Sequence, residues 1–274
     1  MAKALVIAGY GLNCEEETAF AFKQAGFEAV IRHINDLIEA PAELKETQTL
    51  CLPGGFSYGD DTGSGNAFAQ KMRLTLWDHL REFVARDTLT IGICNGCQIV
   101  ANLGLAPALE GKYGQRSVAV THNLTARYQC RWVDVRVEKN RSPWLQGIER
   151  LHIPVAHGEG RFMMEEATLS ALKENDQIAL RYITPEGEAA KGVFPFNPNG
   201  STDDIAGVTD PGGRVLAMMP HPERGMFVSQ RDDYAALKDA ARREGKALSE
   251  EAGGHALFRN AAAYFEISGK RKTA

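Results

Sequence analysis

Long apolar runs are missing from this sequence: a membrane-spanning helix needs about 20 consecutive apolar residues, and no stretch approaches that length. Positive charge is not in excess either. The chain carries 31 Lys and Arg against 35 Asp and Glu, a formal net charge of -4 in 274 residues, and no stripe of basic and aromatic residues suggests a nucleic-acid face. Cysteine is scarce. Five cysteines, an odd number without framework spacing, suit a reducing cytoplasm better than a disulfide-stapled scaffold. No glycine loop ends in lysine as a Walker-type phosphate site requires. The Gly9-x-Gly11 turn lacks the third glycine of a dinucleotide fingerprint, and the helix after it opens with Glu15, Glu16 and Glu17, which would repel a pyrophosphate. Met1-Ala2-Lys3 leads directly into an apolar strand, with no cleavage pattern of a secretory signal.

What is present is an alternation of strands and helices. Ala4 to Ala8, Glu28 to His33, Thr49 to Leu52 and Leu89 to Ile93 read as strands. Helical spacing spans Glu15 to Ala25 and about Asn66 to Arg86, and a third helix starts at about Asn95. This rhythm predicts an α/β fold, a doubly wound, mostly parallel sheet flanked by helices, with functional loops at the carboxyl ends of its strands. The second half adds extended runs at 117–122, 128–137, 151–156, 177–182, 205–209 and 215–219, which predict additional antiparallel strands. Residues 123–127 read as a bend, and His157 to Arg161 as a loop. Helices at about 231–244 and 250–265 predict a carboxyl-terminal helical extension, about 231–269, of a single domain covering 1–274. The basic end, Lys270-Arg271-Lys272, reads as a frayed tail.

The chemistry concentrates at Cys94. An apolar run ends at Ile93, and Gly92 and Gly96 flank the cysteine at the spacing of a nucleophile elbow, where small neighbours permit a sharp turn that exposes the central side chain. A helix beginning at Asn95 directs its unpaired N–H groups and positive end at the sulfur, which favours thiolate. Taken alone, such a cysteine is more often a small core residue, and Cys94-x-x-Cys97 has the spacing of a dithiol redox pair. A thiolate nucleophile needs a base and a group to orient that base. His221-Pro222-Glu223 follows another apolar strand and supplies both within three residues. Gly54 and Gly55, after the strand ending at Leu52, allow backbone N–H groups to approach an oxyanion, with the Asn95 amide as the second donor.

Gly92-Ile93-Cys94-Asn95-Gly96-Cys97-Gln98 together with His221-Pro222-Glu223 resembles the class I glutamine amidotransferase family, which is flavodoxin-like in fold. More narrowly, Pro53 to Asp60, His122-Asn123-x-Thr125-x-Arg127-Tyr128 and His157-Gly158-Glu159-Gly160-Arg161 resemble the glutaminase part of phosphoribosylformylglycinamidine synthases. The resemblance reaches from Gly11-x-Asn13-Cys14 to the His-Pro-Glu loop and leaves Cys97 without an obligatory redox role. It implies Cys94 as nucleophile, His221 as proton carrier and Glu223 as its orienting group. It further implies Gly54, Gly55, Phe56, Asn95, Gln98, His157 and Gly158 around the oxyanion and the glutamine, and Glu159 and Arg161 as candidates for contact with a partner. It implies no cofactor or metal in this chain, with ATP and Mg on a separate synthetase subunit, and leaves room for a small third subunit. The rival readings are an amidotransferase serving another acceptor, a plain glutaminase, or a non-enzymatic binding protein of the same fold.

Overall fold

The computed structural model describes residues 2–271; of the basic end, Lys272 lies outside the described residues. Its strands are β1 (Lys3–Ala8), β2 (Glu28–His33), β3 (Thr49–Leu52), β4 (Leu89–Ile93), β5 (Ala119–His122), β6 (Gln129–Val137), β7 (Arg150–His157), β8 (Glu159–Met163), β9 (Ile178–Ile183), β10 (Ile205–Thr209) and β11 (Val215–Met218). Its helices are α1 (Glu15–Gln24), α2 (Ile34–Glu39), α3 (Glu43–Glu46), α4 (Asn66–Ala85), α5 (Asn95–Leu103), α6 (Glu166–Glu174), α7 (Tyr234–Arg243) and α8 (Gly254–Arg271).

Nine strands form one sheet in the order β2-β1-β3-β4-β11-β10-β9-β6-β7. The first five run parallel and the rest join in antiparallel fashion. Strands β3, β4 and β11 are buried at every position because helices cover both faces of the parallel half, so their sequences are almost continuously apolar. The chain steps from β1 to β2 in one direction and from β3 to β4 in the other. Right-handed crossovers therefore place α1 and α4 on opposite faces. On the α1 face, Phe22 meets Phe258 of α8 edge to face at 5.0 Å. On the other face, α4 packs against α5.

Two features differ from the sequence reading. The segment read as a loop after His157 is mostly strand: β8 pairs with β5 in a separate two-stranded sheet. Helices α2, α3 and α6 were not evident in the periodicity. The first two are six and four residues long, and α6 buries only Leu169 and Leu172, too few apolar positions to mark a face.

The parallel half depends on glycine where α5 leaves β4. A Cβ on Gly96 would lie 1.7 Å from the Leu52 carbonyl oxygen, and one on Gly92 would lie 2.5 Å from the Gly96 oxygen. The helix thus starts directly against the end of β3. Gly96→Ala is expected to destabilise the fold by about 3 kcal/mol or more, because backbone rather than a flexible side chain must move; urea denaturation of variant and parent measures the loss.

Candidate active site

Cys94 occupies the bend between β4 and α5 with φ +53° and ψ -108°, a conformation that L residues adopt only when their surroundings enforce it. Its N–H donates to the Met218 carbonyl at 2.9 Å, and its Sγ lies 3.5 Å from the Ala156 carbonyl oxygen. Only 4% of the residue is exposed.

His221 is far away in sequence and near in space because β11 pairs with β4, placing Met218 level with Ile93. The His221 N–H donates to the Pro154 carbonyl at 2.8 Å, and Nδ1 meets Glu223 Oε1 at 2.5 Å. Both side chains are buried. The ring faces the thiols of Cys94 and Cys14. Burial opposes a charge on the imidazole, but the Glu223 carboxylate and Cys94 outweigh it and raise the His221 pKa well above the ordinary histidine range. A Cβ on Gly54 would lie 2.7 Å from His221 Cε1, 2.8 Å from Cys14 Sγ and 3.4 Å from Cys94 Cβ. Glycine is the residue that lets these three groups close on one point.

The turn after β3 is locked to the turn after β1. The Gly54 carbonyl accepts from the N–H groups of Asn13 and Cys14, and the Phe56 N–H donates to the Gly11 carbonyl at 2.9 Å. With the Phe56 amide so committed, this residue offers its ring instead, 40% exposed and 5.9 Å from the ring of Tyr128. Asn95 joins this turn to the elbow: its Oδ1 accepts from the Ser57 N–H at 3.1 Å, and its Nδ2 donates to Gln98 Oε1 at 2.7 Å. Gln98 Nε2 in turn donates to the Glu159 carbonyl. The Asn95 backbone amide, at the first position of α5, has no acceptor within its own helix.

His157 lies behind this frame. Asn123 Nδ2 donates to the carbonyls of Arg127 and His157, so its Oδ1 is the acceptor that His157 Nδ1 and the Gly160 N–H both reach. His157 is therefore the Nδ1–H tautomer, and burial with the nearby His221 lowers its pKa to about 3. The Gly158 carbonyl accepts from the Asn123 N–H. Glu159 turns inward, its carboxylate meeting the Ser64 N–H at 3.2 Å and His122 Nδ1 at 3.3 Å. Arg161 donates to the Gly200 carbonyl. Cys97 is wholly buried and its thiol pKa is raised well above the ordinary value by burial.

A family model described as CobB/CobQ-like glutamine amidotransferase domain matches residues 1–265. The chain belongs to this family. A relative named phosphoribosylformylglycinamidine synthase subunit PurQ, from Methanococcus maripaludis, is 46% identical over 264 residues, covering 96% of this chain and 97% of its own. A protein of the same name from Dehalococcoides mccartyi is 38% identical over 260 residues, covering 94% and 96%. Among solved structures, the one described as PurLQS from Thermotoga maritima superposes with a TM-score of 0.69 at 27% identity, covering 96% of this chain and 99% of that one. Cys94, His221 and Gly54 thus lie together at the carboxyl ends of β3, β4 and β11, with Glu223 bound to the far edge of the imidazole.

Two neighbours of this cluster carried little signal as single residues. Cys14 caps no helix with its side chain and stood out only as part of the first post-strand turn. Asp60 lies where burial, Glu159 and Asp61 raise its carboxyl pKa to about 6. A carboxyl whose folded pKa is raised stabilises the fold below its unfolded pKa and loses that contribution as pH rises through about 6. Asp60→Asn should therefore raise the thermal midpoint at pH near 7.5, with the gain disappearing toward pH near 4. Melting curves across that range check it, and a gain independent of pH would contradict the assignment.

Proposed function

We propose that this chain is the glutaminase subunit of a phosphoribosylformylglycinamidine synthase, hydrolysing glutamine to glutamate and ammonia through Cys94, His221 and Glu223. The observation that carries the reading is the buried His221–Glu223 pair beside a cysteine held at a strained elbow. The Cys94 thiolate attacks the side-chain amide carbon of glutamine. The resulting oxyanion is stabilised by backbone N–H groups of the Gly54-Gly55 segment and of Asn95. His221, a cation held by Glu223, gives its Nε2 proton to the departing ammonia. Water, deprotonated by the then neutral imidazole, cleaves the γ-glutamyl thioester and restores Cys94 and glutamate.

Gln98 and the His157-Gly158 segment serve as the frame that fixes the elbow and the substrate pocket, while Phe56 and Tyr128 form its mouth. Ammonia passes to a separate synthetase subunit. That subunit, with ATP and Mg, activates the amide oxygen of formylglycinamide ribonucleotide, and ammonia replaces it to give the amidine used in purine biosynthesis. The names of the Methanococcus and Dehalococcoides relatives support this assignment over another acceptor. Among the described residues no helix is long and apolar enough to cross a membrane. The unpaired cysteines fit a cytoplasmic location.

Reconstituted with its synthetase, Cys94→Ala is expected to lose glutamine-dependent amidine formation by at least about a thousandfold while using added ammonium salt about as well as the parent. Loss of both activities would assign the cysteine to folding or assembly. A diazoketone analogue of glutamine should label the parent on Cys94, located by mass spectrometry; labelling confined to Cys51 or Cys97 would refute the nucleophile. Glu223→Gln should lower the glutaminase kcat less than His221→Ala does, since it removes an orienting group rather than the proton carrier. Steady-state rates of the two variants decide the order.

A further inference from the structure

Given the proposed reading of Cys94 as a thiolate beside a cationic His221, on which this rests, we infer that Arg224 is a positioning residue for the reaction: clamped between Glu17 and the Cys14 sulfur, its guanidinium supplies the countercharge that keeps Cys94, His221 and Glu223 in their charged form. Arg224 closes the short turn Pro222–Arg224, directly after the orienting Glu223. Its Nη2 donates to Cys14 Sγ at 2.9 Å and its Nε to Glu17 Oε1 at 3.2 Å, and the same Nε lies 3.9 Å from Glu223 Oε1. Cys14 is in turn fixed by its N–H on the Gly54 carbonyl, so the guanidinium is tied to the loop that lies against the His221 ring.

A cation is needed here because the reactive cluster is not neutral. Thiolate, imidazolium and carboxylate sum to one negative charge, and Cys94, His221 and Glu223 are all buried. An uncompensated charge held out of water is costly. Glu223 Oε2 accepts no hydrogen bond among the described residues, so that oxygen does not meet the cost by hydrogen bonding. The other titratable groups around the cluster bring no positive charge. Cys14 after β1, Cys51 on β3, Cys97 on α5, Tyr128 before β6 and Tyr182 on β9 have pKa values raised by burial and stay protonated, while His157 on β7, lowered to about 3, stays neutral. The Glu17 carboxylate on α1 is paired with Arg224 and 34% exposed, where solvent and salt screen it from the cluster. Removing the guanidinium therefore leaves the thiolate harder to form and the imidazolium harder to deprotonate, and both limbs of a pH profile move upward together. A turn that was merely loosened would lower the profile without moving it.

The test is the pH dependence of Cys94 alkylation by iodoacetamide on the full chain, followed by mass spectrometry of the peptide that carries Cys94, since the thiolate is the species that reacts. Arg224→Gln and Arg224→Met, both neutral, are expected to move the midpoint of the rate upward by about half a pH unit or more, and Arg224→Lys to stay near the parent. The arginine side chain is 37% exposed, so these replacements leave the core intact. In the complex with the synthetase, the kcat/KM profile of Arg224→Gln for glutamine should shift in the same direction. Midpoints of the neutral variants equal to or below the parent's overturn the proposal, as does an Arg224→Lys midpoint displaced as far as that of Arg224→Gln. Those outcomes leave the diazoketone labelling of Cys94, and with it the catalytic reading, untouched. A parent Cys94 that shows no thiolate titration overturns that reading and this proposal with it.

Discussion

The close approach of backbone to backbone at the carboxyl ends of β3, β4 and β11 is the constraint on which the rest of the structure depends. Gly96 lies so near the Leu52 carbonyl that no side chain fits between them, and Gly54 lies under the His221 ring on the same terms. Compression at these points brings the sulfur, the imidazole and the loop amides into one volume. It also leaves Cys94 in a conformation that would relax elsewhere. The apolar strands and the helices on both faces supply the rigidity that maintains this, since close-packed interiors transmit strain rather than absorb it.

Electrostatics then follows from enclosure. A histidine taken out of water ordinarily loses its proton more easily, and His157 does so. His221, equally buried, shifts in the opposite direction because Glu223 is attached to its Nδ1 and Cys94 lies on its other side. The two imidazoles share an environment but not a protonation state. The difference is a carboxylate two residues along in one case and an amide oxygen from Asn123 in the other.

The parallel half of the sheet was legible because strands buried on both faces are written as nearly uninterrupted apolar runs, and β1 and β3 end directly at Gly9 and Pro53. The elbow was legible for the same reason: Gly92 and Gly96 announce a place where only hydrogen fits. Pairing in the second half was not, because the partner of β5 is chosen by packing over α5 and not by the nearest extended run in sequence. Phe56 shows a finer limit. Its position beside Gly55 suggested a part in the oxyanion loop, but the destination of its amide, the Gly11 carbonyl, depends on a turn over forty residues earlier. Asp60 could not be read as unusual from sequence, since its neighbours Glu159 and Asn95 are close only in space.

The antiparallel half of the sheet curls until its last strand, β7, returns to the end of β11. There the Pro154 carbonyl receives the His221 N–H and the Ala156 carbonyl faces the Cys94 sulfur. Two alternate carbonyls of a single strand thus contact both His221 and Cys94. The relative placement of these two side chains therefore rests on β7 as well as on the pairing of β4 with β11, so a change in the far half of the sheet reaches the elbow through that one strand.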